Sequence, residues 1–195
     1  KIKQGDFLLI TGRSGSGKTT LLSLIGGLTL PTSGEIYIQG ENLARMGDSQ
    51  LSDLRARMIG FVFQFSSLIP TLTALDNVRL PALFSGYHLN LNDVFDLLNW
   101  VGLKDKYGYY PSQLSGGQQT RIAVARALVN HPPLLLADEP TGNLDQQTEQ
   151  EILELLVNIN REMGITVLMV THNPDLASFA NRHIIMDNGK VFEAK

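Results

Sequence analysis

The hydrophobic and polar positions of this chain follow two different periods, and their order predicts an α/β fold. Runs that are apolar at nearly every position, which indicate strands buried on both faces, occupy Phe7–Thr11, Leu134–Ala137 and Ile165–Val170. Helices are predicted at Asp48–Met58 and Gln146–Met163, the second with apolar residues at helical spacing. Because buried strands alternate with helices, we expect a mainly parallel sheet covered by helices.

Shorter elements complete this pattern. Helices are predicted at Lys18–Ile25 and Pro174–Ala180, and strands at Glu35–Gln39 and Ile59–Gln64. The apolar residues on either side of Asn188-Gly189 predict a closing hairpin, because this dipeptide favours a tight antiparallel turn. A small antiparallel β portion is therefore expected beside the parallel sheet.

The segment of residues 65–130 differs from the rest of the chain because its pattern is mainly helical. Turns are expected to interrupt it at Pro70, Pro81, Gly86 and Pro111. A chain of 195 residues suits one domain with a real core. We therefore expect a single domain, in which residues 1–64 and 131–195 form the α/β core and residues 65–130 an inserted helical subdomain.

Composition excludes several kinds of partner and site. Lys and Arg number 16 against 19 Asp and Glu, so no basic groove for nucleic acid is indicated and no nucleic-acid partner is expected. Cysteine is absent, which excludes disulfides and thiolate metal sites. No apolar stretch approaches the ~18 residues that cross a bilayer, so a membrane role requires a partner protein.

The segment from Gly12 to Thr19 fits the phosphate-binding pattern G-x-x-x-x-G-K-[ST] between a predicted strand and a predicted helix. Glycines let backbone N–H groups converge on a polyanion, and the helix N-terminus adds a positive dipole end. Lys18 is then expected to reach the β- and γ-phosphates, and the Thr19 hydroxyl to bind Mg²⁺. A simple Gly/Ser turn is the alternative, which the flanking elements disfavour. The residues expected to hold a nucleoside triphosphate are Gly12, Arg13, Ser14, Gly15, Ser16, Gly17, Lys18, Thr19 and Thr20.

Two acids, Asp138 and Glu139, end a predicted buried strand and are candidates for the second half of a phosphate site. Acids at the carboxyl end of a central parallel strand lie in the crevice where such sheets bind ligands. Asp138 is placed to hold Mg²⁺, directly or through water, and Glu139 to orient or deprotonate an attacking water. Taken alone, the pair fits an ordinary solvated turn better, but the phosphate-binding loop upstream favours the functional interpretation.

Gln64 and His172 each follow a predicted strand and are candidates for the same site. The Gln64 amide could contact Mg²⁺ or the nucleophilic water, although from spacing alone a surface glutamine fits equally well. A lone histidine at a strand end is more often structural than catalytic. His172 stays a candidate because a histidine beside a γ-phosphate stabilises charge as that bond breaks.

The segment Leu114–Gln118 offers a second helix N-terminus that could face an anion. Ser115 is a good N-cap for the predicted helix Gln119–Val129, and the two glycines expose backbone N–H groups. A monomer needs no second phosphate cradle, whereas two copies arranged head to tail could each close the other's nucleotide. On physical grounds alone, a helix cap with a flexible Gly-Gly hinge is the simpler interpretation.

Together these motifs resemble the ATP-binding cassette (ABC) family over nearly the whole chain. The elements in the family's order are the phosphate loop, Gln64, the signature Leu114–Gln118, Leu134–Glu139 and His172, and Asn143–Asp145 resembles the family's D-loop. The resemblance implies a P-loop NTPase core of the RecA type that hydrolyses ATP to ADP and phosphate, with ATP and Mg²⁺ as its cofactors.

The resemblance further implies a nucleotide-sandwich dimer with a second copy or a homologous ATPase subunit. Ser115, Gly117 and Gln118 of one subunit would contact the γ-phosphate held by the other, and Asp145 would contribute to nucleotide binding. The implied catalytic residues are Glu139, His172, Lys18 and Gln64. The implied metal contacts are Thr19, Gln64 and Asp138.

A narrower resemblance, to the lipoprotein-release and macrolide-export branch, rests on the sequences around Gln64 and the signature. The segments that carry it are Phe61–Gln64, Leu68–Pro70, Leu72–Val78, Pro111–Gln113 and Ala137–Asp145. It implies export or extraction of a lipoprotein, drug or peptide by an integral-membrane permease docked near Gln64–Val78. The chain would then lie in the cytoplasm, on the inner face of the cell membrane.

Other functions stay open at this point: a soluble ABC ATPase of DNA repair or translation, a cell-division ABC ATPase, or a slow regulatory module. Two positions also depart from the family pattern. Nothing precedes Lys1 to supply the aromatic residue that usually stacks on adenine, so either the sequence is truncated or other contacts hold the base. Thr120 stands where relatives commonly have Gln, and we expect little effect on the chemistry.

Overall fold

The computed structural model describes residues 1–86 and 89–194, in which helices cover both faces of a six-stranded sheet. The strands, including two of a separate small sheet, are β1 (Phe7–Thr11), β2 (Tyr37–Ile38), β3 (Glu41–Asn42), β4 (Ile59–Val62), β5 (Leu134–Asp138), β6 (Thr166–Thr171), β7 (Arg182–Asp187) and β8 (Lys190–Glu193). The α-helices are α1 (Lys18–Ile25), α2 (Asp48–Met58), α3 (Ala74–Ser85), α4 (Leu91–Trp100), α5 (Gly116–Leu128) and α6 (Gln146–Met163). Tyr87 and His88, which belong to the predicted helical subdomain, and Lys195 lie outside the described residues.

The large sheet has the strand order β4-β5-β6-β1-β7-β8. Its first five strands run parallel, and β8 pairs antiparallel with β7. Strands β2 and β3 form a separate antiparallel pair. The predicted α/β fold, with a mainly parallel sheet and a small antiparallel portion, is confirmed.

The parallel strands place four predicted site segments at one edge of the sheet. The phosphate loop follows β1, Gln64 follows β4 after one residue, Glu139 directly follows β5, and His172 directly follows β6. Because carboxyl ends of parallel strands meet at the same edge, segments far apart in sequence become neighbours there.

Two apolar clusters, one on each face of the sheet, hold the helices in place. Alternate residues of β1 belong to opposite clusters: Phe7 and Leu9 to one, Leu8 and Ile10 to the other. The first cluster includes residues of α3, α4, α5 and α6, and the second includes residues of α1 and α2. Burial on both faces explains why the central strands are continuously apolar rather than alternating.

The predicted turn at Pro81 is wrong, because α3 continues through that residue. Proline removes one intrahelical N–H donor and normally interrupts a helix. Here the neighbouring Val78 and Ala82 are fully buried in the cluster that α3 shares with α5. Tertiary packing therefore keeps the helix continuous across the missing hydrogen bond.

Several predicted boundaries shift, and three elements differ by two or more residues. Strand β4 ends two residues early, at Val62, which leaves Gln64 in a loop. Strand β2 is shorter than predicted, because it pairs with only two residues of β3. Helix α5 begins at Gly116 rather than Gln119, because the cap at Ser115 starts the helix at once.

The helices between residues 65 and 130 are α3, α4 and α5, and no strand is found among the described residues of that segment. On this basis we propose the division into an α/β core and an inserted helical subdomain. None of the helices in residues 1–86 and 89–194 is long and apolar enough to cross a bilayer.

Candidate active site

The loop between β1 and α1 adopts a conformation that its glycines make possible. Gly15 and Gly17 have φ values of 79° and 102°, a region that residues with a Cβ rarely adopt. A Cβ at Gly12 would overlap the Met186 carbonyl oxygen and approach the Ser16 hydroxyl. The glycine positions of the motif are therefore required by the fold itself.

This loop leaves a row of backbone donors without acceptors. The N–H groups of Gly15, Gly17, Lys18 and Thr19 donate to no acceptor within the described part of the chain. All four residues line an open cleft of about 400 Å³. Unpaired amides at a helix N-terminus, turned to a cleft, form a site that fits a phosphate group.

The cleft brings ten of the predicted residues together. Its lining residues are Ser14, Gly15, Gly17, Lys18, Thr19, Thr20, Gln64, Asp138, Glu139 and His172. They come from the loops and ends of four different strands and from the first turn of α1.

Lys18 is held across the phosphate loop by the loop's own backbone. Its ammonium nitrogen donates to the carbonyl oxygens of Gly12 at 2.7 Å and Arg13 at 3.2 Å. Only 8% of the residue is exposed, although it lines the cleft. The cation is thus positioned by the loop beside the free amides.

Thr19 and Asp138 form the part of the cleft that fits a divalent cation. The Thr19 hydroxyl donates to Asp138 Oδ1 at 3.3 Å, and Gln64 lines the same cleft. Among the described residues no group of three or more His, Asp or Glu side chains could hold a metal. Mg²⁺ fits such a sparse oxygen donor set, because it is usually bound by one or two carboxylates together with substrate phosphates and water.

The charge state of Asp138 reflects its surroundings. Burial raises the pKa of this carboxyl, and the hydrogen bond from Thr19 opposes that shift. The neighbouring Glu139 carboxylate raises the pKa further, whereas Lys18 lowers it. A bound cation would favour the ionised form of Asp138 and so oppose the rise in its pKa.

Glu139 is fixed in an uncommon backbone conformation, with φ at 46°. Its N–H donates to the Val170 carbonyl oxygen at 2.9 Å. Its carboxylate oxygen Oε2 accepts hydrogen bonds from Thr171 Oγ1 and His172 Nδ1, each at 3.0 Å. Residues in and directly after β6 therefore set the direction of the Glu139 carboxylate, which follows the neighbouring strand β5.

Gln64 lies beside the turn that follows Glu139. A Cβ added to Gly142 would stand 3.6 Å from Gln64 Nε2 and 3.7 Å from the Glu139 Cβ. Gln64 and Glu139 are 75 positions apart in the sequence. They nevertheless lie next to the same turn, the one that contains Gly142. The amide, which was predicted to contact Mg²⁺ or the attacking water, thus lies beside the turn that follows Glu139.

The predicted signature residues lie outside the cleft. Ser115 caps α5, accepting a hydrogen bond on Oγ from Gln118 N at 3.3 Å, while Ser115 N donates to Gln118 Oε1 at 3.0 Å. Gly117 is buried in the first turn of α5. No signature residue lines the cleft in this chain.

Asp145 also lies outside the cleft, at the start of α6. It caps that helix by accepting hydrogen bonds from Thr148 N at 3.0 Å and Thr148 Oγ1 at 2.7 Å. These bonds, first of all the one from the Thr148 backbone, lower the pKa of the Asp145 carboxyl. Three phosphate-loop residues are likewise absent from the cleft lining: Gly12, Arg13 and Ser16.

Two residues that contact the predicted site were missed by the sequence analysis. Thr171 donates to the Glu139 carboxylate, and Thr148 holds Asp145. The Asp-x-x-Thr spacing before an apolar helix is a recognisable capping pattern and could have drawn attention to Thr148. Thr171 gave no comparable signal, because its role depends on the pairing of β5 with β6.

The sequence is similar to a known protein family and, over nearly its whole length, to individual proteins. A sequence profile described as ABC transporter matches residues 1–142. The lipoprotein-releasing system ATP-binding protein LolD 1 of Chlorobium chlorochromatii is 45% identical over 194 residues, which cover 97% of this chain and 78% of that protein. The macrolide export ATP-binding/permease protein MacB of Rhodopirellula baltica is 46% identical over 196 residues, covering 98% of this chain and 29% of that protein.

A solved structure extends the match to three dimensions. The ATP-binding cassette MJ0796, determined as a dimer in a post-hydrolysis state with ADP and Pi, superimposes with a TM-score of 0.89 at 42% identity. The alignment covers 100% of this chain and 88% of that one.

Proposed function

This chain belongs to the ABC transporter family and is an ATPase, and we propose that it is half of a head-to-tail dimer that drives a membrane permease. One observation carries the proposal: the chain has two helix N-termini suited to phosphate, and they do not share a cleft. Helix α1 faces the cleft with the acids, whereas α5 begins outside it. A second copy is needed to bring a signature turn over the nucleotide.

Within one subunit, the phosphate loop binds ATP. The free N–H groups of Gly15, Gly17 and Thr19 donate hydrogen bonds to the phosphate oxygens, and Lys18 neutralises the β- and γ-phosphates. On closure, Ser115, Gly117 and Gln118 of the other subunit contact the γ-phosphate. Binding energy then drives dimer closure, because only the ATP-bound form offers this contact.

Thr19 and Asp138, whose oxygens are adjacent, would hold a magnesium ion together with Gln64. The ion would supply positive charge to offset the negative charge of the β- and γ-phosphates. The small number of oxygen ligands that these residues offer suits Mg²⁺, which is usually bound by one or two carboxylates together with substrate phosphates.

Glu139 acts on the water that attacks the γ-phosphorus. The carboxylate orients the water and accepts its proton while the bond from the γ-phosphorus to the β–γ bridging oxygen breaks and ADP leaves. Thr171 and His172 keep the carboxylate in position through Oε2. Lys18 and His172 stabilise the charge that develops on the transferred group.

A permease segment docks in a groove beside Gln64 and moves when the dimer closes. The groove, of about 430 Å³, runs between β4, α3 and α5 and is lined by Phe61 and Phe63 among others. Phe65 and Ile69, in the adjoining loop, are also exposed. Exposed aromatic residues next to a catalytic loop fit a protein partner better than solvent.

The relatives support transport over a soluble role in DNA repair or translation, because LolD is named as part of a lipoprotein-releasing system and MacB as a macrolide export protein. The cargo of this chain is then a lipoprotein, drug or peptide moved by the permease. The chain lies on the cytoplasmic face of the membrane, where the permease holds it.

The variant Glu139→Gln tests the proposal. It removes the base but keeps the size of the side chain, so ATP binding is retained while turnover falls at least about 100-fold. Light scattering is expected to show an ATP-dependent dimer that ADP does not produce. Adding Ser115→Arg should abolish that dimer but leave nucleotide binding by the monomer. Wild-type turnover in Glu139→Gln would remove Glu139 from its role, and a monomeric state with ATP would refute the sandwich.

A further inference from the structure

We propose that Thr148 is a positioning residue: its methyl group sets the signature turn, Ser115–Gln118, against the start of α6, and Gly117 is required to accommodate it. This inference rests on the proposed head-to-tail dimer, because the signature turn acts on the nucleotide of the other subunit. It assigns to Gly117 a contact within its own chain, separate from any contact with phosphate.

The backbone at Gly117 does not require glycine. Its φ lies outside the positive region that ten other glycines of the described chain occupy. The residue lies in the first turn of α5, where alanine is a better helix former than glycine. The reason for glycine at position 117 must therefore lie in the atoms that surround the place where a side chain would stand.

Thr148 occupies that surrounding space. A Cβ built on Gly117 would overlap the Thr148 Cγ2 methyl, and the next nearest atoms are Thr148 Cβ at 3.7 Å and Oγ1 at 3.9 Å. The adjacent Gly116 is different, because a Cβ there would make an ordinary contact of 3.4 Å with Leu144 Cδ2. Of the two glycines in the signature turn, only Gly117 therefore lies where an added side-chain atom would overlap α6.

Thr148 cannot easily rotate its methyl away. Its hydroxyl donates to Asp145 Oδ2 at 2.7 Å, and its N–H donates to Asp145 Oδ1 at 3.0 Å. The N–H bond holds the Thr148 backbone at the cap of α6, and the hydroxyl bond holds its side chain, so a rotamer change would break the hydroxyl bond. The methyl is therefore a fixed surface against which the signature turn rests.

The same segment leads back to the acid of its own subunit. Gly142 N donates to the Glu139 carbonyl oxygen at 3.2 Å, and Thr141 Oγ1 donates to Glu149 Oε1 at 2.8 Å. The turn after Glu139 and the start of α6 are thus tied to each other. Through Thr148, the signature turn that reads the other subunit's γ-phosphate is packed on the segment that carries its own Glu139.

The experiment is a compensating pair of substitutions, made both in the active chain and with Glu139→Gln to trap the dimer. Gly117→Ala is expected to weaken ATP-dependent dimerisation and to lower kcat, each at least about tenfold, because the new methyl displaces the turn. Nucleotide affinity of the monomer should stay within about twofold, because the phosphate loop is untouched. Adding Thr148→Ser removes Cγ2 but keeps the hydroxyl bond to Asp145, and should restore dimerisation and kcat to within about threefold of Thr148→Ser alone.

Thr148→Val is the matched control, because it keeps the methyl group while losing the hydroxyl. Gly117→Ala with Thr148→Val should stay as impaired as Gly117→Ala alone. Equal impairment of the Ser and Val double variants would overturn the inference and place the glycine requirement at the nucleotide. Full activity of Gly117→Ala would overturn it as well. Failure of Glu139→Gln alone to dimerise with ATP would instead refute the proposed dimer.

Discussion

Glu139 is the residue at which most constraints of the site meet. A non-glycine residue at positive φ costs of the order of 1–3 kcal/mol and persists only where its surroundings hold it. Here the holding contacts come from β6, through the Val170 carbonyl, the Thr171 hydroxyl and the His172 ring. The direction of the carboxylate is therefore set by contacts from β6 rather than by residues of β5, the strand that Glu139 follows.

The substitution Thr171→Val tests this positioning by removing a single hydroxyl. It keeps the side-chain shape but removes the donor to Glu139 Oε2 and the acceptor of the Asn173 N–H, so we expect kcat to fall about tenfold with ATP affinity unchanged. Steady-state hydrolysis and fluorescent-nucleotide titration measure the two effects. Thr166→Val, in the same strand but bonded to Gly5 N, is the control and should leave kcat unaltered. An unchanged kcat in Thr171→Val would show that His172 alone suffices.

Asp138 gives a prediction for the pH dependence of stability. Burial raises the pKa of its carboxyl, so its contribution to stability is present below the unfolded-state pKa, near 3.8, and is lost as the pH rises through the folded-state value. Asp138→Asn should therefore raise the melting temperature of the nucleotide-free protein at neutral pH, and the gain should shrink on acidification. Scanning fluorimetry across pH measures this, with exposed Asp105→Asn as control. A gain independent of pH would contradict the prediction.

Between elements, close approach of backbones decides where glycine is needed. Strand β4 and helix α5 meet at Gly60, where an added Cβ would overlap the Ala127 carbonyl oxygen. That oxygen belongs to a helix that packs across the sheet and cannot yield as a flexible side chain would. The contact holds α5, which carries the signature turn, against the strand that leads to Gln64.

The substitution Gly60→Ala tests the contact. We expect it to lower the free energy of unfolding by about 2 kcal/mol, because either β4 or α5 must shift to admit the methyl group. Urea denaturation followed by circular dichroism measures the loss. Gly108→Ala is the control, because a Cβ there meets nothing within 4 Å and the backbone is not at positive φ. Equal stability of the two variants would mean that the contact relaxes without cost.

In the whole molecule, the cleft and the signature turn are separate, so ATP hydrolysis depends on the pairing of two subunits. Lys18 and Ser115 belong to different half-sites of one chain, so each composite site takes one from each subunit. Inactivating either residue should stop turnover in a homodimer, whereas a mixed dimer retains one intact composite site.

Mixing the variants Lys18→Ala and Ser115→Arg tests this arrangement. Each alone should be inactive, and an equimolar mixture should recover up to about half of wild-type hydrolysis, since only mixed dimers close and each has one working site of two. Phosphate release against total protein measures the recovery. The control is a chain that carries both Lys18→Ala and Ser115→Arg, because none of its dimers contains an intact composite site. A mixture as inactive as its components would exclude a site that functions across the dimer.

Local patterns in the sequence determined the parts of this protein that depend on neighbouring residues. The continuous apolar strands, the glycine pattern of residues 12–19 and the cap at Ser115 each have a short-range cause, so they were readable before the fold was known. The same holds for the full extents of α1, α2 and α6.

The tertiary structure decided what depends on contacts between distant segments. Burial of Val78 and Ala82 carries α3 through Pro81, and strand pairing brings Thr171 to Glu139. The fit of Gly117 on Thr148 likewise joins two helices that are separate in the sequence. Such contacts leave no periodic trace along the chain, because each partner is chosen by the packing of the sheet and its helices rather than by its neighbours.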